Sequence, residues 1–153
     1  VAEDGKPCRC GKRGCLETVV NQDILHQTYV KNVLKTPDVS LSSASETEIR
    51  HDLAELLSLA KQEHKEASAI VQQAARYIGM GIAALLLILD IPDVIIAADF
   101  GPDGDVCIPY IKEAVDSRII SGIEHSVVYY PLERLGFAQG AALLILREYF
   151  TEL

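Results

Sequence analysis

The sequence predicts a layered α/β domain in which helices pack on a small parallel sheet. Two short runs of strand-forming residues lie in the second half of the chain, and segments with helical spacing of apolar residues come before, between and after them. The chain has 153 residues, 49% of them hydrophobic, which is enough for a core without disulfides and excludes a disordered protein. We therefore expect a single domain over residues 1–153.

The first half of the chain predicts a loop followed by three helices. Residues 1–15 are rich in glycine and cysteine and predict an irregular loop. A helical pattern covers residues 16–34, and a second helix should start after Ser45, because Glu48 stands at the spacing of a capping box. A third helix should cover residues 65–89. Its second half is apolar on all sides, so we expect that half to be buried.

The second half of the chain predicts the sheet and two further helices. Residues 93–98 predict a buried strand, and residues 126–130 predict a second strand that pairs in parallel with the first. A helix over residues 106–120 should connect the two strands. The last helix, over residues 135–149, carries small side chains on its early turns, which predicts close packing against another element.

The charge of the chain argues against nucleic-acid and membrane binding. Its 14 basic and 22 acidic side chains give a net charge of −8, whereas binding to phosphates or anionic lipids depends on Lys and Arg. The longest apolar run, residues 82–89, is shorter than a membrane-spanning helix, and the N-terminus lacks the pattern of a signal peptide. We therefore expect a cytoplasmic protein with reduced cysteines.

Three of the four cysteines form a compact motif that predicts a metal site. Cys8, Cys10 and Cys15 follow the pattern C-x-C-G-x-x-G-C, in which the glycines permit the chain to fold back and bring the sulfur atoms to one tetrahedral ion. Zinc is the expected ion, because it suits sulfur ligands and the nearby basic residues favour thiolates. A chance cluster, or a disulfide in an oxidised preparation, is the alternative. The four histidines show no spacing that suggests a metal site, and those at 51 and 64 are expected to be solvated.

Residues 5–17, which include this motif and the Leu-Glu pair after it, resemble the zinc signature of the ROK family of sugar-responsive transcriptional repressors and sugar kinases. The segments 74–89, 92–96 and 135–142 agree with the family in the same order, so the resemblance covers essentially the whole chain. It implies the second lobe of a ribonuclease-H-like fold, also called the actin-like ATPase and sugar kinase fold. Residues 1–17 would form the zinc-binding loop, and the first lobe and any DNA-binding head would lie outside the chain.

The resemblance also implies roles for four residues. Cys8, Cys10 and Cys15 would be ligands of a structural zinc ion, and Glu17 would be a carboxylate that contacts sugar hydroxyls. The alternative for Glu17 is an acid at the start of a helix, stabilised by the helix dipole. The family's fourth zinc ligand is a histidine about ten residues before the first cysteine, which would fall before the first residue of this chain. His26, one helix beyond the cysteines, is a less favoured replacement.

Two departures from the kinase pattern favour the repressor branch, in the manner of the N-acetylglucosamine and xylose repressors. Ala97-Ala98-Asp99 stands where kinases usually carry a glycine pair close to the nucleotide, and Glu133-Arg134-Leu135 stands where kinases tend to carry an acidic pair. We therefore expect the sugar-effector-binding and oligomerisation part of a ROK regulator. The alternative is the C-terminal lobe of an ATP-dependent ROK sugar kinase. A generic α/β interaction domain leaves the cysteine motif unexplained.

Under either reading we expect no catalysis from this chain, because in the family the aspartate that acts as the base in phosphoryl transfer lies in the first lobe. The expected partners are a small sugar, bound by the full-length protein, and a second copy of the chain. The copies would pack through the apolar helix faces of residues 46–89 together with the surface that the first lobe would otherwise cover. We expect no contact of this chain with DNA or with a membrane.

Overall fold

The computed structural model describes residues 5–36, 44–98, 102–132 and 136–151. Within these ranges there are five helices, two strands and two short 3-10 helices. The structural neighbours described below share the ribonuclease-H-like fold expected for the chain. In chain order the elements are a 3-10 turn at Leu16–Thr18, α1 at Gln22–Asn32, α2 at Glu46–Lys61, α3 at Lys65–Leu89, β1 at Asp93–Ala98, a 3-10 helix at Pro102–Cys107, α4 at Ile108–Asp116, β2 at Ser126–Pro131 and α5 at Gly136–Thr151.

The start of α2 is confirmed in detail. The Ser45 side chain accepts a hydrogen bond from the backbone N–H of Glu48, and the Glu48 carboxylate accepts one from the backbone N–H of Ser45 at 2.7 Å. Two backbone donors that the helix cannot satisfy by itself are thus paired. The predicted bounds of α3 are also confirmed.

Two predicted helices are shorter than expected: α1 ends at Asn32 and α4 at Asp116, and both also begin later than predicted. The helix predicted from residue 16 begins only at Gln22, since the Asn21 backbone is extended and its side chain accepts the N–H of Ile24 at 2.8 Å. The helix predicted from residue 106 is a 3-10 helix up to Cys107, and α4 begins at Ile108. Pro109, which has no N–H to donate, lies in the first turn of α4.

The core has two parts, which share α3. In the first part, Tyr29 of α1 is completely buried against α2 and the first half of α3. In the second part, the other half of α3 packs against α4 and the sheet, and the buried residues Ile111 and Val127 lie there. α3 is long and apolar enough to cross a membrane by length and composition alone, but contributing to both cores is typical of the central helix of a soluble protein.

The two strands pair in parallel, as predicted, with Asp93 opposite Ser126. The expectation of a buried strand is wrong for one face of the sheet. Val127 faces the core and is completely buried, whereas Ile95 is 68% exposed, because successive side chains of a strand point to opposite faces. The described residues cover only one face of this parallel pair.

One expectation about helix burial is wrong, and a second holds only in part. The end of α3 is not buried all round: Ile88 is 78% exposed, because α4 and the sheet cover only one side of the helix. Among the described residues, the start of α5 packs closely only at Gly136, where a Cβ would lie 2.8 Å from Cδ1 of Leu132. Further along, Gly140 has no atom from outside its own helix within 4 Å of the place that a Cβ would occupy, and Leu144 is exposed.

Candidate metal centre

The cysteine loop folds as a tight hairpin. The backbone N–H of Cys8 donates to Lys12 at 2.8 Å, and the N–H of Gly14 donates to Lys6 at 3.0 Å. Gly11 makes the turn with a φ of 83°, a conformation that glycine adopts at little cost and other residues rarely adopt. The glycine spacing in the sequence therefore has a direct structural role, because it reverses the chain between the cysteines.

The hairpin brings the three predicted metal ligands together. The sulfur atoms of Cys8, Cys10 and Cys15 lie within 4.8 Å of one another, and those of Cys10 and Cys15 are 3.5 Å apart. All four cysteines are free thiols, so the alternative of a disulfide is not realised in this structure. Three convergent soft donors fit a zinc ion, which would crosslink the hairpin when bound.

The thiols of the cluster differ in acidity. The backbone N–H of Lys12, and after it the thiols of Cys15 and Cys8, donate hydrogen bonds that lower the pKa of Cys10. The interactions with Cys10 and then Cys8 raise the pKa of Cys15 to about 11. Cys10 is therefore more acidic than Cys15, and a bound cation would favour the deprotonated form of the thiols.

Glu17 lies beside this cluster and is held by a neighbouring arginine. Its Oε1 is 2.8 Å from Nε of Arg9, and its Oε2 is 3.9 Å from the sulfur of Cys8. The side chain of Glu17 is 43% exposed, so the carboxylate remains open to a ligand. Glu17 lies in the first turn of the short 3-10 helix Leu16–Thr18, which ends before α1, so a role at the start of a helix is compatible with contact to a sugar.

An open groove of about 210 Å³ runs between the hairpin and the start of α1. Lys6, Arg9, Glu17 and Asn21 contribute its polar groups. The amide of Asn21 donates to the backbone oxygen of Glu17 at 2.9 Å, while its side-chain oxygen caps α1. The turn that carries Glu17 is therefore tied to the first helix, and the groove offers both a carboxylate and cationic donors.

The described residues do not bring His26 to the sulfur cluster. His26 is buried, and its Nε2 is 3.0 Å from Oδ2 of Asp52 in α2. Because this nitrogen already pairs with Asp52, the structure does not support the less favoured role of His26 as a zinc ligand. The two residues are 26 positions apart, so no local sequence pattern predicts their contact.

A second group of possible metal ligands was not predicted. His51, Asp52 and Glu55 lie close together on α2, with one ligand atom from each within 4.8 Å of the others. His51 is exposed, as expected of a solvated residue, but it is not isolated. His51 and Glu55 are four residues apart, a spacing that places two side chains on the same side of a helix. This spacing is the feature of the sequence from which their proximity could have been predicted.

The residues that separate repressors from kinases are only partly described. Ala97 is exposed at the end of β1, and the backbone oxygen of Ala98 accepts hydrogen bonds from the hydroxyl of Tyr129 and the N–H of Leu132, both at 3.0 Å. Asp99 and residues 133–135 lie outside the described residues.

Comparison with known proteins supports the resemblance seen in the sequence. A sequence model described as the ROK family matches residues 1–148. A curated glucokinase of Halalkalibacterium halodurans is 26% identical over 131 residues, which are 83% of this chain and 40% of the glucokinase.

Solved structures agree in fold. A ROK family transcriptional regulator, a homologue of the E. coli MLC protein, superposes with a TM-score of 0.72 and 21% identity over 94% of this chain and 36% of its own. A ROK family glucokinase from Streptomyces griseus, solved with glucose and AMPPNP, has a TM-score of 0.70 and 25% identity over 94% of this chain and 48% of its own. The chain thus spans less than half the length of these relatives.

Proposed function

Because this chain belongs to the ROK family, we propose that it is the sugar-binding and oligomerisation part of a ROK transcriptional regulator. The observation that carries the proposal is the position of Glu17, whose carboxylate is open to solvent in a groove beside the cysteine hairpin. A carboxylate accepts hydrogen bonds from sugar hydroxyls more strongly than a neutral amide does. Arg9 and Lys6 add donors for ring or hydroxyl oxygens at the same groove.

The cysteine hairpin supports this role by fixing the position of the carboxylate. Cys8, Cys10 and Cys15 would hold the zinc ion, and the ion would supply a crosslink that keeps the hairpin closed. Cys8 and Arg9 both contact Glu17, so a rigid hairpin limits the positions available to the carboxylate. The protein then loses less conformational freedom when it binds sugar, which favours affinity.

Two alanines at the end of β1 favour a regulator over a kinase. Ala97 and Ala98 each carry a Cβ at the place where kinases of the family usually have glycines close to the nucleotide. In a regulator, sugar bound between two lobes would change the angle between them and thereby the spacing of DNA-binding heads in an oligomer. The chain itself would contact no DNA, consistent with its net charge of −8, and would act in the cytoplasm without enzymatic activity.

The second candidate is the C-terminal lobe of a ROK sugar kinase. It is favoured by the glucokinase relative, which is 26% identical over most of the chain. Both candidates use Glu17 for sugar binding, and they differ in whether a nucleotide binds.

Calorimetric titration of the zinc-loaded chain with glucose, N-acetylglucosamine and xylose tests sugar binding. We expect one of these sugars to bind, and Glu17→Gln to weaken its binding about tenfold or more, the effect of losing a hydrogen bond to a charged group. The control Asp23→Asn, an exposed acid in the first turn of α1, should bind as the unchanged chain does. Equal affinity of Glu17→Gln and the unchanged chain contradicts the site.

Titration with AMPPNP separates the two candidates. No heat of binding up to millimolar nucleotide is expected for a regulator, whereas saturable binding favours the kinase. Replacing both alanines by glycine, Ala97→Gly with Ala98→Gly, provides the matched comparison, because binding gained only in this variant shows that the two methyl groups exclude the nucleotide.

A further inference from the structure

A cleft of about 510 Å³ opens between α3 and α4. Its polar lining comes from both helices and from the residues just after α4: Gln72, Arg76, Tyr110, Glu113 and Arg118. This lining shares no residue with the groove beside Glu17. Small-molecule sites occupy roughly 300–1,000 Å³, so the cleft is large enough for a ligand of its own.

The walls of the cleft are fixed by the packing of the two helices. At Gly79 the helices are so close that a Cβ would lie 2.6 Å from the Cβ of Ala114. Ala114 is buried and also lines the cleft, and Tyr110 packs against both parts of the core. A ligand would therefore meet a preformed surface, and its binding would require little ordering of the backbone.

Arg118 is oriented by the end of α4. Its Nη1 donates to the backbone oxygen of Ala114 and to Oγ of Ser117, both at 2.8 Å. Its other two nitrogen atoms, Nε and Nη2, donate to no other described residue. The guanidinium is therefore held by one nitrogen and keeps two for a ligand.

Arg76 and Glu113 line the same cleft without pairing with each other. Among the described residues neither side chain has an ion pair or a hydrogen bond, and the same holds for Gln72 and for the hydroxyl of Tyr110. The charged atoms of Arg76 and Glu113 are thus more than 4.0 Å apart. Opposite charges that line one cleft without touching leave room for a ligand that contacts both.

We infer that this cleft binds a small phosphate ester that carries a hydroxyl group. Arg76 and Arg118 would hold the phosphate, because a planar guanidinium offers parallel donors to an oxyanion and a phosphate has enough oxygen atoms for both. Glu113 would accept a hydrogen bond from the hydroxyl of the ligand. Two arginines beside one acid give the cleft a local positive charge in a chain whose net charge is −8, which favours an anion there. The alternative is that water alone solvates these side chains.

Calorimetric titration in a buffer free of phosphate and sulfate tests the inference, with glycerol 3-phosphate, inorganic phosphate and glycerol as the ligands. We expect one glycerol 3-phosphate to bind per chain, more tightly than inorganic phosphate does, and glycerol not to bind. Arg76→Gln alters an exposed side chain that has no partner among the described residues. It should weaken binding of glycerol 3-phosphate about tenfold or more, the effect of losing a hydrogen bond to a charged group.

Lys112→Gln is the matched control. It removes the same charge from an exposed position of α4 that does not line the cleft, and it should bind glycerol 3-phosphate as the unchanged chain does. Glu113→Gln should bind inorganic phosphate at least as tightly as the unchanged chain, because it removes a negative charge. It should also lose most of the preference for glycerol 3-phosphate, because it replaces the carboxylate that accepts the hydroxyl.

Amide chemical shifts in nuclear magnetic resonance spectra locate the bound ligand. Residues 72–76 and 110–118 should shift on addition of glycerol 3-phosphate, and residues 6–21 of the hairpin and its groove should not. Four results would each overturn the inference: no saturable binding, equal weakening by Arg76→Gln and Lys112→Gln, a preference that survives Glu113→Gln, or shifts confined to the hairpin.

Discussion

Arg9 and Glu17 form an ion pair across the cysteine hairpin, with 2.8 Å between Nε and Oε1, while the other oxygen of Glu17 lies 3.9 Å from the sulfur of Cys8. The carboxylate proposed to bind sugar is therefore positioned by two residues of the metal-binding motif. This contact couples the hairpin to the groove.

Arg9→Ala should weaken sugar binding several-fold while leaving the fold intact. The arginine is 85% exposed, and an exposed ion pair contributes less than about 1 kcal/mol to stability, so its main effect is on the groove, through the position of Glu17 and its own donors to the sugar. Calorimetric titration with the sugar that the unchanged chain binds measures the affinity, and thermal unfolding measures the stability of the fold. Arg13→Ala, in the same hairpin, is the control. An equal loss of affinity in both variants would indicate a general effect of charge.

Cys10→Ser should abolish stoichiometric zinc binding, because two sulfur ligands from one hairpin are too few to hold the ion. Mass spectrometry of metals in the reduced, purified chain measures the zinc content, and hydrogen exchange should become faster in residues 6–18 only. Cys107→Ala is the control. The Cys107 thiol donates to the backbone oxygen of Gly104, and burial raises its pKa. A full equivalent of zinc in Cys10→Ser contradicts the assignment.

Gly79→Ala should destabilise the protein by about 1–3 kcal/mol, the usual range for overpacking. A Cβ at Gly79 in α3 would lie 2.6 Å from the Cβ of Ala114 and 2.9 Å from the backbone oxygen of Ile111, so α3 and α4 would have to separate. Chemical denaturation measures the free energy of unfolding.

Gly81→Ala is the matched control, since its Cβ would meet only the end of the Leu16 side chain at 3.4 Å. It should be neutral or stabilising by up to about 1 kcal/mol, because alanine favours a helix more than glycine does. Equal destabilisation by both substitutions would show that the contact between α3 and α4 is not the cause.

Glu48→Ala should lower the melting temperature at pH 7, and this difference should shrink under acid conditions. The hydroxyl and the backbone N–H of Ser45 lower the pKa of Glu48 from its ordinary value of 4.5. Because the pKa is lower in the folded state, the stabilisation is complete above pH 4.5 and is lost as the pH falls through the folded value. Thermal unfolding at several pH values between 7 and 2.5, followed by circular dichroism, measures it.

Ser45→Ala and the variant with both Ser45→Ala and Glu48→Ala complete a double-mutant cycle on the capping box of α2. The two side chains bond to each other, so the effect of the double variant should be smaller than the sum of the single effects. Additive effects, or a difference in melting temperature that stays constant with pH, would contradict the assigned role of the capping box.

Local sequence patterns predicted those features of the fold that depend mainly on residues close together in the chain. The Ser45–Glu48 box, the bounds of α3 and the parallel strands follow from spacing alone, and so does the convergence of the cysteines, because the glycines reverse the chain within eight residues. The burial of α3 and α5 was not predictable in this way. Whether an apolar helix face is covered depends on which distant elements reach it.

The sequence by itself determined the family, the order of the elements and the three clustered thiols, because these are properties of local spacing. The tertiary structure decided the pairing of Arg9 with Glu17, the engagement of His26 with Asp52 and the burial of the Tyr29 hydroxyl beside Glu55. These contacts depend on how the cysteine hairpin closes and how α1 packs on α2. Side-chain distances of a few ångströms between separate elements are set by packing, and residue spacing along the chain does not specify them.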